Sequence, residues 1–398
     1  MKRILFITTS NLTTNPRLLK ELRTLSLKNE CTFVGFSLGN WSDQYEQQQL
    51  SAKHNVKTIY LSATRSPFIP WLFSTVAQYL SVLLVKIFKR SVPINAMASN
   101  KRSLLLWNYV KANVRDVDLI IAHNIGTLLP AFKLGKRLGI PFHFDVEDFY
   151  PGEGVIREAF QPEDNCEAFL MKKLLPFAHR VTFASQPIMD ETHKLCPHIE
   201  RPLLINNSFE KSEFVTPTEV NGKKIQLVWY SQNINHSRGL EPFIEVLKAF
   251  AEDYHLTLIG QLHQPFAGNW IEPNKHFIDV VPPQLQMDLH RSLGKYDIGL
   301  ALEPGKDLNN ELALSNKIWA YLQAGLYIIA TDTEGQKAFI RQYEDHGMLT
   351  SIEQGDLKSC LEKIVEDREM IRKGKLRRFQ LVSDAASWEA EALKLSID

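Results

Sequence analysis

Apolar runs of strand length alternate with amphipathic segments along the first half of the chain. RILFITT, CTFVGFS, VKTIYLS, DLIIAH and PFHFDVED are rich in β-branched and aromatic residues and end in polar turns, which predicts strands. Between them PRLLKELRTLSLKN, NKRSLLLWNYVKANV and LLPAFKLGKRLG repeat their apolar residues at helical spacing. Pro16 suits a first helical position and Gly139 a helix stop. RVTFAS and PLLINNS read as the last strands of this first sheet. FEKSEFVTPTEVNGKK reads as a linker, after which the alternation restarts. IQLVWYS, HLTLIG, HFIDVVP, DIGLALEP and LYIIATD read as strands, and GLEPFIEVLKAFAED, PQLQMDLHRSLGKY and SNKIWAYLQAG as helices. Further helices fill 355–375 and the C-terminus. Strands separated by helices predict parallel sheets. The expected fold class is therefore α/β, with two doubly wound Rossmann-like domains, residues 1–208 and 222–384, facing across a cleft.

One stretch breaks the alternation. FIPWLFSTVAQYLSVLLVKIFKR, residues 68–90, is long enough to raise a membrane span, but it holds Pro70, Ser74, Thr75, Gln78 and Ser81. Two readings stay open: a helix packed in the core or lining a cleft, and an amphipathic helix lying on an anionic membrane face through Lys86, Lys89 and Arg90. The opening MKRILFITTS is too short an apolar run for a signal peptide and fits a first strand better.

Composition changes this picture little. The chain has 398 residues, which favours two domains, with 44% hydrophobic and 23% charged residues, as in folded globular chains. A net charge of +1 gives no footprint for nucleic acid. Cys31, Cys166, Cys196 and Cys360 lie far apart without metal-like spacing and read as reduced thiols. The expected location is cytoplasmic, with the inner face of a membrane as the peripheral alternative.

Candidate chemistry gathers at strand ends, where doubly wound sheets bind ligands. After DIGLALEP, Ser315 caps a helix that Gly325 stops. Its free N–H groups, with Asn316 and Lys317, suit an anion such as a pyrophosphate. After IQLVWYS, the loop around Ser231, Gln232, Asn233 and Gly239 carries Arg238, able to fork onto a phosphate. In the first half, Thr14, Asn15 and Arg17 follow the first strand, and two readings stay open there: a ligand-facing loop or a simple helix cap. His123 and Asn124 end DLIIAH, and Asp145, Glu147 and Asp148 end PFHFDVED. Glu147 and Asp148 read as site carboxylates or as helix-capping acids.

The second half resembles the donor-nucleotide domain of the GT-B glycosyltransferases, in particular family 4 (glycosyl transferases group 1). YSQNINHSRGLEPFIEVLKAF resembles that family's strand, glycine-type loop and R/K-G-L helix start, and NELALSNKIWAYLQAGLYIIATD its N-K-L-F-E-Y-M-A-A-G-L-P-V-V-A-T-D segment. DVVPPQLQMDLHRSLGKYDIGLALEP resembles the intervening strand, helix and strand. The resemblance covers nearly the whole chain. It implies transfer of a sugar from a nucleotide-sugar donor to a glycan or lipid-linked acceptor, retaining and without a metal or other cofactor, in polysaccharide or cell-envelope glycan synthesis. It also implies that the helix over 385–398 packs back on the first domain. Two departures stand out. Ala320 occupies the place of the family's ribose-binding glutamate, leaving Glu311, Glu303 or Asp332 to serve. Glu147 stands where the family often has a histidine, and it is positioned to assist removal of an acceptor proton. The alternative class is a non-catalytic GT-B-like accessory protein that binds a sugar, a nucleotide or a partner enzyme. A sugar-nucleotide epimerase ranks below both, and an NAD enzyme lower still, since no G-x-G-x-x-G follows an opening strand.

Overall fold

A computed structural model of the chain describes residues 1–51, 54–218 and 222–396. The chain forms two compact units. The first comprises Met1–Ile205 with Asp307–Asn309 and the tail from Leu395, and the second Asn206–Lys306 with Asn310–Lys394.

The first unit is built on a seven-stranded sheet in the order β3-β2-β1-β4-β5-β6-β7. The strands are β1 (Arg3–Thr8), β2 (Glu30–Ser37), β3 (Val56–Ser62), β4 (Leu119–His123), β5 (Phe142–Val146), β6 (Arg180–Phe183) and β7 (Pro202–Leu204). All pair in parallel, and strand order reverses between β1 and β4. Helices α1 (Pro16–Ser26), α2 (Phe68–Leu84), α3 (Val92–Ser99), α4 (Arg102–Asn113), α5 (Leu128–Leu138), α6 (Cys166–Leu174) and α7 (Gln186–Leu195) connect them. β4 and β5 are buried along their whole length, as expected of parallel strands covered on both faces. The helices α3, α6 and α7 escape the sequence reading because they are short, 8, 9 and 10 residues.

The second unit carries a six-stranded sheet in the order β10-β9-β8-β11-β12-β13. Here β8 is Ile225–Ile234, β9 Tyr254–Leu262, β10 Ile278–Val281, β11 Ile298–Ala301, β12 Tyr327–Thr331 and β13 Gly347–Thr350. Strand order reverses between β8 and β11. Alternate residues feed two cores: Leu227, Trp229 and Leu300 face helix α8 (Leu240–Leu247), while Val228, Ile259 and Ala301 face the helix Asn316–Gln323. β8 runs past the expected IQLVWYS because a bulge between Tyr230 and Asn233 lets it continue alongside β9. Gly260 permits this, since a Cβ there would fall 2.1 Å from the Ser231 carbonyl oxygen. Gly325, at φ 73°, stops the helix Asn316–Gln323 as expected.

Two expectations need correction. The stretch read as a linker is not a free tether: Glu213 accepts from His290 Nδ1 at 2.8 Å, and Phe214 stacks on the His290 ring at 5.0 Å. Its residues 219–221 lie outside the described residues. The terminal helix, observed as Trp388–Ala392, groups with the second unit, where the Trp388 N–H donates to the Phe209 carbonyl at 2.9 Å. Trp388 is buried, so its apolar ring sets where the helix docks. Only the tail from Leu395 groups with the first unit, and residues 397 and 398 of the expected helix lie outside the described residues.

Candidate functional site

Pairing register in the first sheet puts four side chains in one row. Thr8 ends β1 beside His123 of β4, His123 lies beside Asp145 of β5, and Asp145 beside Thr182 of β6. Paired residues of parallel strands point to one face, and α1 covers that face with Arg17 and Glu21, one turn apart. Arg17 donates Nε and Nη2 to the two oxygens of Asp145 at 2.7 and 2.9 Å. Its other N–H groups go to the carbonyls of Ile205 at 2.5 Å and Phe183 at 3.3 Å. His123 Nε2 lies 3.0 Å from Glu21 and its Nδ1 3.3 Å from Asp145. The Thr182 hydroxyl donates to Asp145 as well.

This network is enclosed: Arg17, Asp145 and His123 are 4%, 3% and 0% exposed. Burial opposes the charge on each, and the partners overcome it. Asp145 is held well below the usual carboxylate range by Arg17 and His123. His123 is raised by Asp145 and Glu21 and stays an imidazolium. Arg17 and His123 are therefore closed off from a ligand, which excludes the ligand-facing reading of Arg17 and the expected place of His123 among the catalytic groups. They fix the end of β5.

The loop after β1 is also committed internally. Asn15 is a helix cap, its Oδ1 accepting from Leu18 N at 3.0 Å. Thr14 donates N–H and hydroxyl to Asn11 Oδ1, at 3.0 and 2.7 Å. The Glu46 carboxylate takes the N–H groups of Leu12 and Thr13 at 3.0 and 2.7 Å. These amides already hold an anion, so the loop offers no free N–H cradle for a phosphate; of Thr14, Asn15 and Arg17 only Thr14 is exposed.

What the network does support lies just above it. The Thr8 hydroxyl donates to Asn124 Oδ1, and Asn124 Nδ2 donates to Glu147 Oε1. Asn124 sits at φ 72°, a left-handed conformation that asparagine tolerates better than most residues. Glu147 is half-buried, and burial, helped by Asp148 and Asp145 and opposed by His123, pushes it up to about 8. Asp148 is raised too, mainly by burial, while accepting from Asn309 at 3.0 Å. Beside them opens a cavity of about 430 Å³ lined with polar groups, among them Thr9, Ser10, Asn100, Asn124, Asp148 and Glu153. Burial and Asp148 push Glu153 up to about 7. His123, Asp145 and Glu147 bring ligand-type atoms within 4.8 Å of one another. A cation there would have to share Asp145 with the Arg17 guanidinium and displace the charged His123, so this donor set fits a metal poorly.

In the second unit two of the predicted groups, Lys317 and Glu303, meet just past the end of β11. Lys317, in the first turn of the helix Asn316–Gln323, pairs with Glu303 at 3.1 Å and lies 5.8 Å from the Trp229 ring. Glu303 is fixed through its backbone, its N–H donating to Thr331 Oγ1 at 2.8 Å. Ser315 precedes the helix in extended conformation, and its side chain makes no capping bond. Asn316 Oδ1 accepts from Asn207 at 2.5 Å. Arg238 is exposed, in a loop tied down by Glu241, which accepts from Ser237 N at 2.9 Å. The next residue, Gly239, abuts Leu302: a Cβ there would meet the Leu302 Cβ at 3.1 Å. Arg238 thus directly precedes a glycine packed on Leu302, the residue before Glu303. Ser231 and Gln232 lie in the bulge of β8 and not in a loop. Ala320 is fully enclosed. Of the carboxylates put forward in its stead, Glu311 accepts from the backbone N–H of Glu334, and Asp332 pairs with Lys337 at 3.5 Å. Burial raises Glu311.

Comparison with solved structures decides what this scaffold is. Sucrose-phosphate synthase from Thermosynechococcus elongatus superposes with a TM-score of 0.69, over 99% of this chain and 97% of that chain, at 14% identity. HepE of Anabaena, solved with UDP, superposes with a TM-score of 0.67 over 99% and 98%, at 12% identity. A glycosyltransferase from Rickettsia africae gives 0.65 over 99% and 96%, at 12% identity. The chain has the GT-B fold. No family model matches it, and no curated protein matches it. Within this GT-B chain, sequence reasoning missed Thr8, Glu21, Glu46 and Thr182, which hold the site without facing it. Only Glu21 left a trace: with Arg17 it forms an i, i+4 charged pair flanking Leu18, Leu22 and Leu25 on the helix face that is buried.

Proposed function

We propose that the chain transfers a sugar from a nucleoside-diphosphate sugar to a hydroxyl group of a glycan or lipid-linked acceptor. The observation that carries this is the Lys317–Glu303 pair at an uncapped helix start where strand order reverses. A diphosphate leaving group needs positive charge where negative charge develops, and Lys317, Arg238 and the first helical N–H groups supply it without a metal. Glu303 keeps Lys317 extended toward that place and is the carboxylate best set to accept from ribose hydroxyls in the absence of a glutamate at 320. On the acceptor side the polar cavity suits a hydroxylated ligand, and Glu147, once deprotonated, accepts the proton of the attacking hydroxyl. Retention of configuration, independence of metal and a role in cell-envelope or polysaccharide synthesis belong to this reading. HepE is a protein solved with UDP, which makes UDP the first probe to try.

Titration calorimetry with a panel of nucleoside diphosphates tests the donor site. Lys317→Ala is expected to weaken binding about 10–100-fold, and Arg238→Ala, being exposed, less. Unchanged affinity in both variants would remove the assignment. The second reading, a non-catalytic binding protein, is favoured by the enclosed Ala320. It predicts nucleotide binding with no donor hydrolysis and no transfer to any acceptor in a panel.

A further inference from the structure

Helix α2 is built inside out. Ile69, Phe73, Val76, Leu80 and Leu83 recur at spacings of three and four and so form one stripe. That stripe faces solvent, with exposures of 79%, 61%, 49%, 50% and 51%. The opposite face holds the polar residues: Ser74 and Ser81 are buried, Gln78 donates to the Ala98 carbonyl at 3.3 Å, and Thr75 accepts from Lys101 at 3.1 Å. Ile87 and Phe88, just past the helix, are 74% and 53% exposed and continue the apolar surface. A helix that turns its serines inward and its leucines outward does not lower its free energy in water.

The charge around it indicates the occupant. Between Glu46 and Asp116 the chain contains ten Lys and Arg residues and no Asp or Glu. The whole chain carries only +1, so the rest of the molecule is net negative and the excess of positive charge lies in this segment. Lys86 and Arg90 are exposed next to the stripe, and the Arg65 guanidinium lies 5.2 Å from the Trp71 ring at the other end of the helix. A second copy of the chain docking on this stripe would bring two basic segments together. An anionic bilayer satisfies both features at once, apolar side chains entering the acyl boundary and cations meeting the headgroups. No helix among the described residues is long and apolar enough to cross a membrane, so α2 would lie in the interface plane.

We infer that the α2 stripe and its basic flanks form a docking surface for an anionic lipid bilayer. This stands apart from the glycosyl-transfer reading and is tested without it. The full chain is floated through a density gradient with vesicles of phosphatidylcholine alone or of phosphatidylcholine with phosphatidylglycerol. Flotation is expected with the anionic vesicles and reduced by high salt. A variant with Ile69→Ser, Phe73→Ser, Leu80→Ser and Leu83→Ser is expected to stay at the bottom while keeping the parent's circular dichroism and melting, since the replaced side chains face solvent. Lys86→Gln and Arg90→Gln are each expected to weaken partitioning about fivefold. Failure of the parent chain to float with anionic vesicles would overturn the inference. So would equal flotation of the serine variant, or light scattering that shows a dimer in the parent and a monomer in the serine variant.

Discussion

Arg17→Met is expected to destabilise the chain by about 3–5 kcal/mol, read as a lowered urea midpoint, because it leaves Asp145 charged and enclosed without its bidentate partner. Methionine fills a similar volume, so the effect reports charge and hydrogen bonding more than packing. Arg17 also donates to the carbonyls of Ile205 and Phe183, and while Phe183 keeps the Ile205 N–H, the Ile205 carbonyl loses its Arg17 donor. The double variant Arg17→Met with Asp145→Asn removes the stranded charge and is expected to recover part of the loss, which separates the ion pair from general damage to the helix. Arg17→Lys is expected to rescue poorly, since an ammonium cannot reproduce the fork on Asp145 together with both carbonyl bonds. A midpoint unchanged in Arg17→Met would mean that the network does not hold the fold.

Glu147→Gln is expected to lower sugar transfer by about 10²–10⁴-fold, the usual contribution of a positioned proton acceptor, while raising stability at alkaline pH. The sign follows from the shift. Burial raises the folded carboxyl from its ordinary value of 4.5 to about 8. Between those limits the folded chain holds a proton that the unfolded chain has released, so stability falls as pH rises through that window. Glutamine resembles the neutral carboxyl and still offers an oxygen to Asn124. The variant and parent should therefore melt together near pH 4, with the variant increasingly the more stable toward pH 9. The same proton shapes the activity profile: a general base with this pKa makes transfer rise with pH toward about 8. Parallel melting curves across that range would show that Glu147 is charged throughout, and unimpaired transfer in the glutamine variant would remove it from the reaction.

Much of the fold was legible along the chain, because parallel strands buried on both faces must be runs of apolar residues and their crossover helices must be amphipathic. DLIIAH, PFHFDVED and LYIIATD show this directly, as do PRLLKELRTLSLKN and SNKIWAYLQAG. The elements that escaped, such as α6 and α7, are short and do work that no local pattern marks. The candidate site divides along the same line. Lys317 beside a helix start and Arg238 before Gly239 could be read because helix starts and glycine turns are local features. The partnership of Lys317 with Glu303 could not, since fourteen residues and a loop separate them.

The residues after each strand were thus set by the sequence alone: acids and a histidine after β4 and β5, cations after β8 and β11. Their roles were decided by register and burial. Arg17, His123 and Asp145 carry the side chains of a reactive site, but β1, β4 and β5 align them in one row beneath α1, where exclusion of water turns them into a structural ion network. Asn124 and Asp148, one and three residues further on, reach past that row to line a polar cavity, and Asn124 bonds Glu147. Helix α2 makes the same point in reverse, since its composition left a core or cleft helix and a membrane face both open, and only the fold showed its serines turned inward. Which side of an element is dry depends on residues distant in sequence, so the protonation and accessibility of these groups belong to the tertiary structure.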